Sequence, residues 1–549
     1  MKPLIRVRRA GGSKTSASIR NGTRLLIILA GFMTTGGCAV GPNFHRPAPP
    51  SVTGYTPEPL AAQTAKADVA GGQAQRFVQS LDIPGQWWRL FHCKALNALT
   101  EEALRANPSL EAAQAALRVA RENVRAQKGA YYPTIQASLS PSLNKTATAI
   151  FSPATASGNP YYSLYTGQLS VSYVPDVFGL NRRTVESLEA QAEAQRFQLE
   201  ATYLTLTSNV VTAAVQEALL RGQIKAAQEI ISVQGEALEI MRRQFSAGQI
   251  AGDAVAAQEA ALAQAQASLP PLQKQLAQQR DLLAALAGRF PSQGVAETFE
   301  LEDLHLPADL PVSLPAKLVE QRPDVRAAEA QLHSASAQIG VAIANMLPNI
   351  TLSANGGYAA GEITRLFGPG TSYWALAASL TQPIFEGGML LHRTRAARAA
   401  CAQAAAQYRS TAVTAFQNVA DALRALQSDA GALTAAVAAE RAAAKSLDVT
   451  RSQLAAGAVS YLALLNAQQA YQQSVINLVQ ARAGRFADTA ALFQALGGGW
   501  WNRSDVSSAG ACTGYRPRQR IRLNSGALRS AAADAPAAVR YSAGVRHSL

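Results

Sequence analysis

At 549 residues the chain could hold several domains, yet only 16% of its residues are charged and 6% aromatic, and the dominance of Ala, Gln and Leu favours helix. The net charge of +14 is confined to the ends: residues 1–37 carry seven Lys/Arg and no acid, residues 500–549 carry eight Arg and two Asp, and residues 38–499 are left almost neutral. That distribution excludes a basic nucleic-acid-binding face on the body of the chain, and four dispersed cysteines with six single histidines offer no metal-ligand spacing.

The basic stretch ends at Arg24 and leads into the apolar run Leu25–Met33, too short to span a bilayer but suited to the core of a signal peptide. The run ends in Thr35-Gly36-Gly37-Cys38, which resembles a bacterial lipobox with Thr35 where Leu is usual. The resemblance makes residues 1–37 a cleaved lipoprotein signal and Cys38 the site of lipid attachment. An ordinary signal peptide with an incidental cysteine is the alternative. Ala39 follows, not the Asp that in such lipoproteins implies inner-membrane retention. Residues 39–85 are rich in Pro, Ala, Gln and Gly without a sustained period and read as an extended arm; residues 38–105 form a lipidated arm and the start of an equatorial region.

Four motifs follow in order: Cys38-Ala-Val-Gly-Pro-Asn-Phe-His-Arg-Pro47, Trp87-Trp88-Arg-Leu-Phe91, Leu96-Asn97-x-Leu99 and Asn107-Pro108-Ser-Leu110. They resemble the motifs of outer-membrane efflux lipoproteins of the TolC family, NodT/OprM branch. Phe44 stands here for a tyrosine, and His92-Cys93 for the more frequent Asp-Pro. The resemblance covers roughly residues 38–499.

An internal repeat organises that span, with a first copy at 106–287, a linker at 288–321 and a second copy at 322–499. Pro108 and Pro133 enclose a helical segment that aligns without gaps with the one between Pro323 and Pro348; Ala112/Ala327, Leu117/Leu332 and Val124/Ile339 fall on one apolar face. Beyond each closing proline the period changes to two, in Thr134–Ser140 and Gln168–Val174, then in Asn349–Ser353 and Ser372–Thr381. These strands predict hairpins over 133–175 and 348–383, joined by polar loops at 144–162 and 355–371. Strands of this kind sit on a core in a soluble protein or line a transmembrane barrel; in lipid four strands cannot close, so oligomerisation is then required, with two or three chains both admissible.

No proline interrupts residues 181–246 or 388–455, and helices of that length would each run about 100 Å. Their apolar positions are largely Ala, Leu and Val, which suits helices packed side by side around a wide barrel; a plain coiled-coil rod is the alternative. Gly222, Gly235 and Gly431 read as points that ease curvature, each costing about 1 kcal/mol against Ala. Each long helix ends in a tip, QFSAGQIAGDAVAAQEAAL at 244–262 and QLAAGAVSYLALLNAQQAY at 453–471, with Gly248 and Gly457 supplying the turn. The tips span 247–253 and 456–462, and the return helices Asp253–Ala287, interrupted at Pro270-Pro271, and Leu464–Ala495. Gln382-Pro-Ile-Phe-Glu-Gly-Gly388 closely resembles the turn with which this family passes from strand to long helix. The tail, 500–549, is basic, aperiodic and outside the resemblance, and reads as disordered.

No catalytic, nucleotide or dinucleotide fingerprint occurs, so the expected activity is passage rather than reaction, with no cofactor beyond the covalent lipid on Cys38. Asp421 and Asp429 read as isolated acids, solvated or facing a lumen. The family resemblance implies a mainly α fold with a β-barrel part: a long α-helical barrel plus a transmembrane β-barrel of four strands per chain in a trimer. It implies an outer-membrane channel that receives small toxic compounds or drugs from an inner-membrane RND-type pump through a periplasmic adaptor, with outer-membrane lipid but no nucleic acid as a further partner. An exit duct for type I protein secretion and a non-pore periplasmic coiled-coil lipoprotein are the alternatives. On the same resemblance Leu462 and Asn466 hold the positions of a periplasmic gate, with Asn466 replacing an acid. Four residues apart, they share a helix face. The other reading of Leu462 is a packing leucine. Gly248, Asp253, Gly457 and Val459 mark the tips as adaptor contacts.

Overall fold

Two helical hairpins of equal dimensions form the long axis of the computed structural model, which describes residues 39–145 and 161–503. Residues 1–37, read as a signal segment, Cys38 and the tail beyond Arg503 lie outside the described residues. Helices α1 (Lys94–Ala106) and α2 (Pro108–Lys128) precede the first hairpin, formed by α3 (Leu180–Ser246, 67 residues) and α4 (Gly252–Leu286, 35 residues). Helices α5 (Pro315–Gln321) and α6 (Pro323–Ala344) precede the second, α7 (Met389–Ala455, 67 residues) and α8 (Tyr461–Ala495, 35 residues). A glycine with left-handed backbone, Gly179 or Gly388, stands immediately before each long helix. In the first copy the Asp176 carboxylate accepts hydrogen bonds from the backbone N–H of Asn181 and Arg182, both at 2.9 Å, and so satisfies donors that the first helical turn leaves free. Among the described residues no helix is long and apolar enough to cross a membrane.

Strands β2 (Thr134–Lys145), β3 (Tyr161–Tyr173), β5 (Asn349–Ala360) and β6 (Ser372–Thr381) form one antiparallel sheet in that order. Register carries the two-residue alternation across all four strands. Ile135 pairs with Val171, Val171 with Ala354 and Ala354 with Leu376, while on the other face Gln136 pairs with Ser170 and Ser170 with Asn355. One face therefore presents Ile135, Leu139, Leu143, Leu352, Trp374, Leu376 and Leu380, and the other Gln136, Ser138, Ser172, Thr351, Ser353 and Ser379. The apolar face is bare at both margins: Leu143, Trp374 and Leu376 are 75%, 77% and 70% exposed. Among the described residues, strands β2 and β6 each have one unpaired edge.

The observed elements depart from the sequence reading in five places. Three of the strands are longer than expected. The stretch 355–360, read as loop, continues β5, because Gly357 lies so close to β3 that a Cβ there would stand 2.2 Å from the Gly167 carbonyl oxygen. Pro270 and Pro271 do not interrupt α4; both are exposed, so the carbonyls they leave without a donor face solvent. Gly222, read only as easing curvature, is also a point of close contact, since a Cβ would stand 2.9 Å from Val479 Cγ1 of α8. The arm and the linker contribute a pair of short parallel strands, β1 (Arg76–Gln79) and β4 (Asp309–Val312), that no alternation announced. Trp500–Asn502, placed in the tail, belong to the fold: Trp500 Nε1 donates to the Gln321 carbonyl at 2.6 Å, and Asn502 Nδ2 to Asp82 at 2.8 Å.

Around β1 and β4 the belt of the chain closes on an aromatic core. Trp87, Trp88, Phe91, Phe486 and Phe493 are buried there, with Trp87 stacked on Phe493 at 5.4 Å. These rings sit midway along the hairpins and hold α8 against α1 and the linker.

Candidate functional site

The two tips are built alike. In the first, Gly248 has φ +71°, its N–H donates to the Phe245 carbonyl and the Gln249 N–H reaches back to the Gln244 carbonyl. In the second, Gly457 has φ +72°, with Gly457 N–H to the Leu454 carbonyl and Ala458 N–H to the Gln453 carbonyl. This is the Schellman helix end, which needs a residue tolerant of positive φ at that one position. Counting from these glycines, Asp253 and Leu462 occupy the same place, so one tip presents an acid where the other presents a leucine. Asp253 lies in the first turn of α4 and accepts from the Ala254 N–H at 2.8 Å.

Leu462 does not pack into the protomer. It is 64% exposed and Asn466 is exposed on the same face, whereas Leu465 and Gln468 turn inward at 8% and 4%. Gly248, Asp253 and Gly457 are exposed, and Val459 is half-buried. The structure thus leaves Leu462 and Asn466 side by side and unburied on α8. Two residues that the sequence did not single out connect the tips: the Tyr461 hydroxyl of α8 donates to Gln244 Oε1 at the end of α3. A contact between positions 217 residues apart has no local signal.

A second cluster lies where the sheet passes into the helices. The arm beginning at Ala39 is held there by Arg183, whose Nε donates to the Val40 carbonyl at 2.9 Å and whose Nη2 donates to Asn43 Oδ1 at 2.8 Å. Val40 N–H donates to the Phe178 carbonyl, and Phe44 stacks on His333 at 4.3 Å. The fit depends on missing side chains: a Cβ on Gly41 would stand 2.4 Å from Gly340 Cα, and one on Gly179 would stand 2.6 Å from Ala39 Cα. The residue that follows Cys38 is therefore fixed beside the strand-to-helix turn. Beneath it Glu186 binds Arg183 at 2.7 Å and His333 at 3.0 Å; burial opposes ionisation, but these partners hold the carboxyl below its usual range. Among the described residues no group of three or more potential metal ligands occurs.

Comparison with known proteins agrees with this architecture. A family described as outer membrane efflux protein matches residues 99–289 and 314–498. The chain is 28% identical over 472 residues to the probable efflux pump outer membrane protein TtgC of Pseudomonas putida, spanning 85% of this chain and 94% of that one. It is 27% identical over 487 residues to the probable outer membrane lipoprotein SilC of Salmonella typhimurium, over 87% and 99% of the two chains. Its fold resembles the outer-membrane channel OprN with a TM-score of 0.75, at 26% identity over 84% of this chain and all of that one. With both repeats matched, the chain belongs to the outer membrane efflux protein family.

Proposed function

We propose that three copies of this chain close a twelve-stranded barrel in the outer membrane and continue it inward as a helical duct. The observation that carries the proposal is the sheet itself: four strands with two open edges and a bare apolar face. In lipid such edges require partners, and β6 of one copy beside β2 of the next supplies them. At 10 to 13 residues the strands are long enough to cross the hydrocarbon region. Helices α3 and α7, about 100 Å each by their rise, would carry the tips deep into the periplasm.

There the tip residues Gly248, Asp253, Gly457 and Val459 would meet a periplasmic adaptor, which links the duct to an inner-membrane pump of the RND type. Leu462 and Asn466, repeated by the three-fold axis, would form two stacked rings that narrow the mouth. Asn466 places an amide where a carboxylate would favour cations, so closure rests on apolar packing and amide hydrogen bonds. The cargo is a small toxic compound or drug; the chain performs no covalent step, and the pump supplies the energy. A lipid on Cys38 would enter the membrane beside Gly179, where Ala39 is fixed.

A deletion strain, complemented with wild-type or variant protein and exposed to a panel of toxic compounds, tests the proposal. Wild type should restore resistance and a Cys38→Ser chain should restore less. Equal susceptibility with and without the gene to every compound would contradict it. Within the tips, Tyr461→Phe keeps the ring but removes the bond to Gln244. At about 1 kcal/mol for a net hydrogen bond, the closed state should lose several-fold in its balance against the open one, read as open time in planar bilayers.

A further inference from the structure

Asp429, which reads in sequence as an isolated acid, is not isolated. Its side chain lies across the seam from Asp488 of α8, beside Gly484, and the two carboxyl groups are placed to share a hydrogen bond. Two ionised carboxylates cannot do so, because both only accept; one proton has to lie between them. The packing is shaped for this contact. Gly484, one turn before Asp488, leaves the space: a Cβ there would stand 3.0 Å from Asp429 Oδ2. Asp488 Oδ2 is buried and has no hydrogen-bond partner among the described residues, so no donor is in place to stabilise charge on that oxygen.

The charged groups around the pair are few. From α8 the fully buried Arg485 faces it, but its guanidinium donates to the Gly71 carbonyl at 3.1 Å, Thr64 Oγ1 at 3.2 Å and Gln75 Oε1 at 2.9 Å. On the open side Asp488 borders a cleft of about 400 Å³ that Asp421 of α7 and Arg322 also line. Arg322 is ion-paired with Asp324 at 2.6 Å, and Asp421 is exposed.

We propose that Asp429 and Asp488 form a proton-held joint between α7 and α8, closed while the pair shares one proton and weakened when both carboxyls ionise. Burial, then the hydrogen bond and negative charge of Asp429, push the Asp488 carboxyl up to about 7 against the pull of Arg485. The folded chain thus keeps a proton that the unfolded chain releases near the ordinary carboxylate range. The joint's contribution is complete at acid pH, declines as pH rises towards about 7 and is absent above it. Since α8 carries Leu462 and Asn466 and α7 leads into the same tip, a looser joint would also reach the tip; that consequence rests on the gate assignment, whereas the joint does not.

The test is the thermal midpoint of the purified full-length oligomer between about pH 5 and pH 9, together with the infrared band of a protonated carboxyl. Wild type should lose stability through that range and lose the band near neutrality. In Asp488→Asn the amide donates to Asp429 at every pH, so the slope flattens and that band disappears. Asp429→Asn should do the same from the other side of the seam, and Asp421→Asn should leave both readouts as in wild type. An unchanged slope in both joint variants, or no such band in wild type at about pH 6, overturns the proposal. Conductance on the same samples separates the two levels: pH-dependent stability with pH-independent conductance supports the joint and removes its link to the tip.

Discussion

Leu462→Ala should raise the closed-state conductance of the oligomer in planar bilayers several-fold while leaving the protomer's stability nearly unchanged. The two halves of that expectation come from one number. A buried leucine cut to alanine costs about 2–5 kcal/mol, because transfer and cavity terms add. Leu462 is 64% exposed within the protomer, so its truncation removes only a fraction of a buried leucine's transfer energy, less than about 1 kcal/mol. A packing leucine would behave in the opposite way, with a large fall in unfolding midpoint and little change in conductance. Leu465, three residues on and buried, is the internal control: Leu465→Ala should show that second pattern.

Leu376→Arg should abolish stable membrane insertion, whereas Ala377→Arg should insert and alter ion selectivity. Leu376 lies in mid-strand on the apolar face, paired with Ala354, and Ala377 lies on the opposite face, paired with Ser353. An arginine on a lipid-facing position at the bilayer midplane costs about 2–4 kcal/mol per chain, and a symmetric trimer carries that cost three times. On the other face the same charge meets water. Detergent-free extraction of the membrane fraction, compared between the two variants, reads the difference. Equal insertion of both would place the sheet outside the hydrocarbon region.

What the sequence disclosed follows the range of the forces involved. Helices are local structures, so the absence of proline between Asn181 and Ser246 and the recurrence of Ala-Gly at both tips located each hairpin to within a few residues. The alternation in Thr134–Ser140 and Ser372–Thr381 likewise survives in the sheet. Glycine is read incompletely where its role is close approach: Gly357 reads as loop until β3 is seen against it, and the contact of Gly222 with Val479 has no local signal. The strands β1 and β4 are four residues long and more than two hundred residues apart, so their pairing has neither period nor proximity in the chain. The site was legible to the same extent. Leu462 and Asn466 emerge from helical spacing and family resemblance, and their exposure required the fold. Tyr461–Gln244, Arg183 with the arm, and Asp429–Asp488 join segments distant in the chain, and each becomes visible only in the folded structure.

The central claim is that this sheet is one third of a barrel. Native mass spectrometry of the oligomer released from the outer membrane, paired with single-channel recording of the same preparation, tests it most directly. The account predicts a complex of three chains that conducts as one pore; a complex of one or two chains, or a trimer that never conducts, would contradict it.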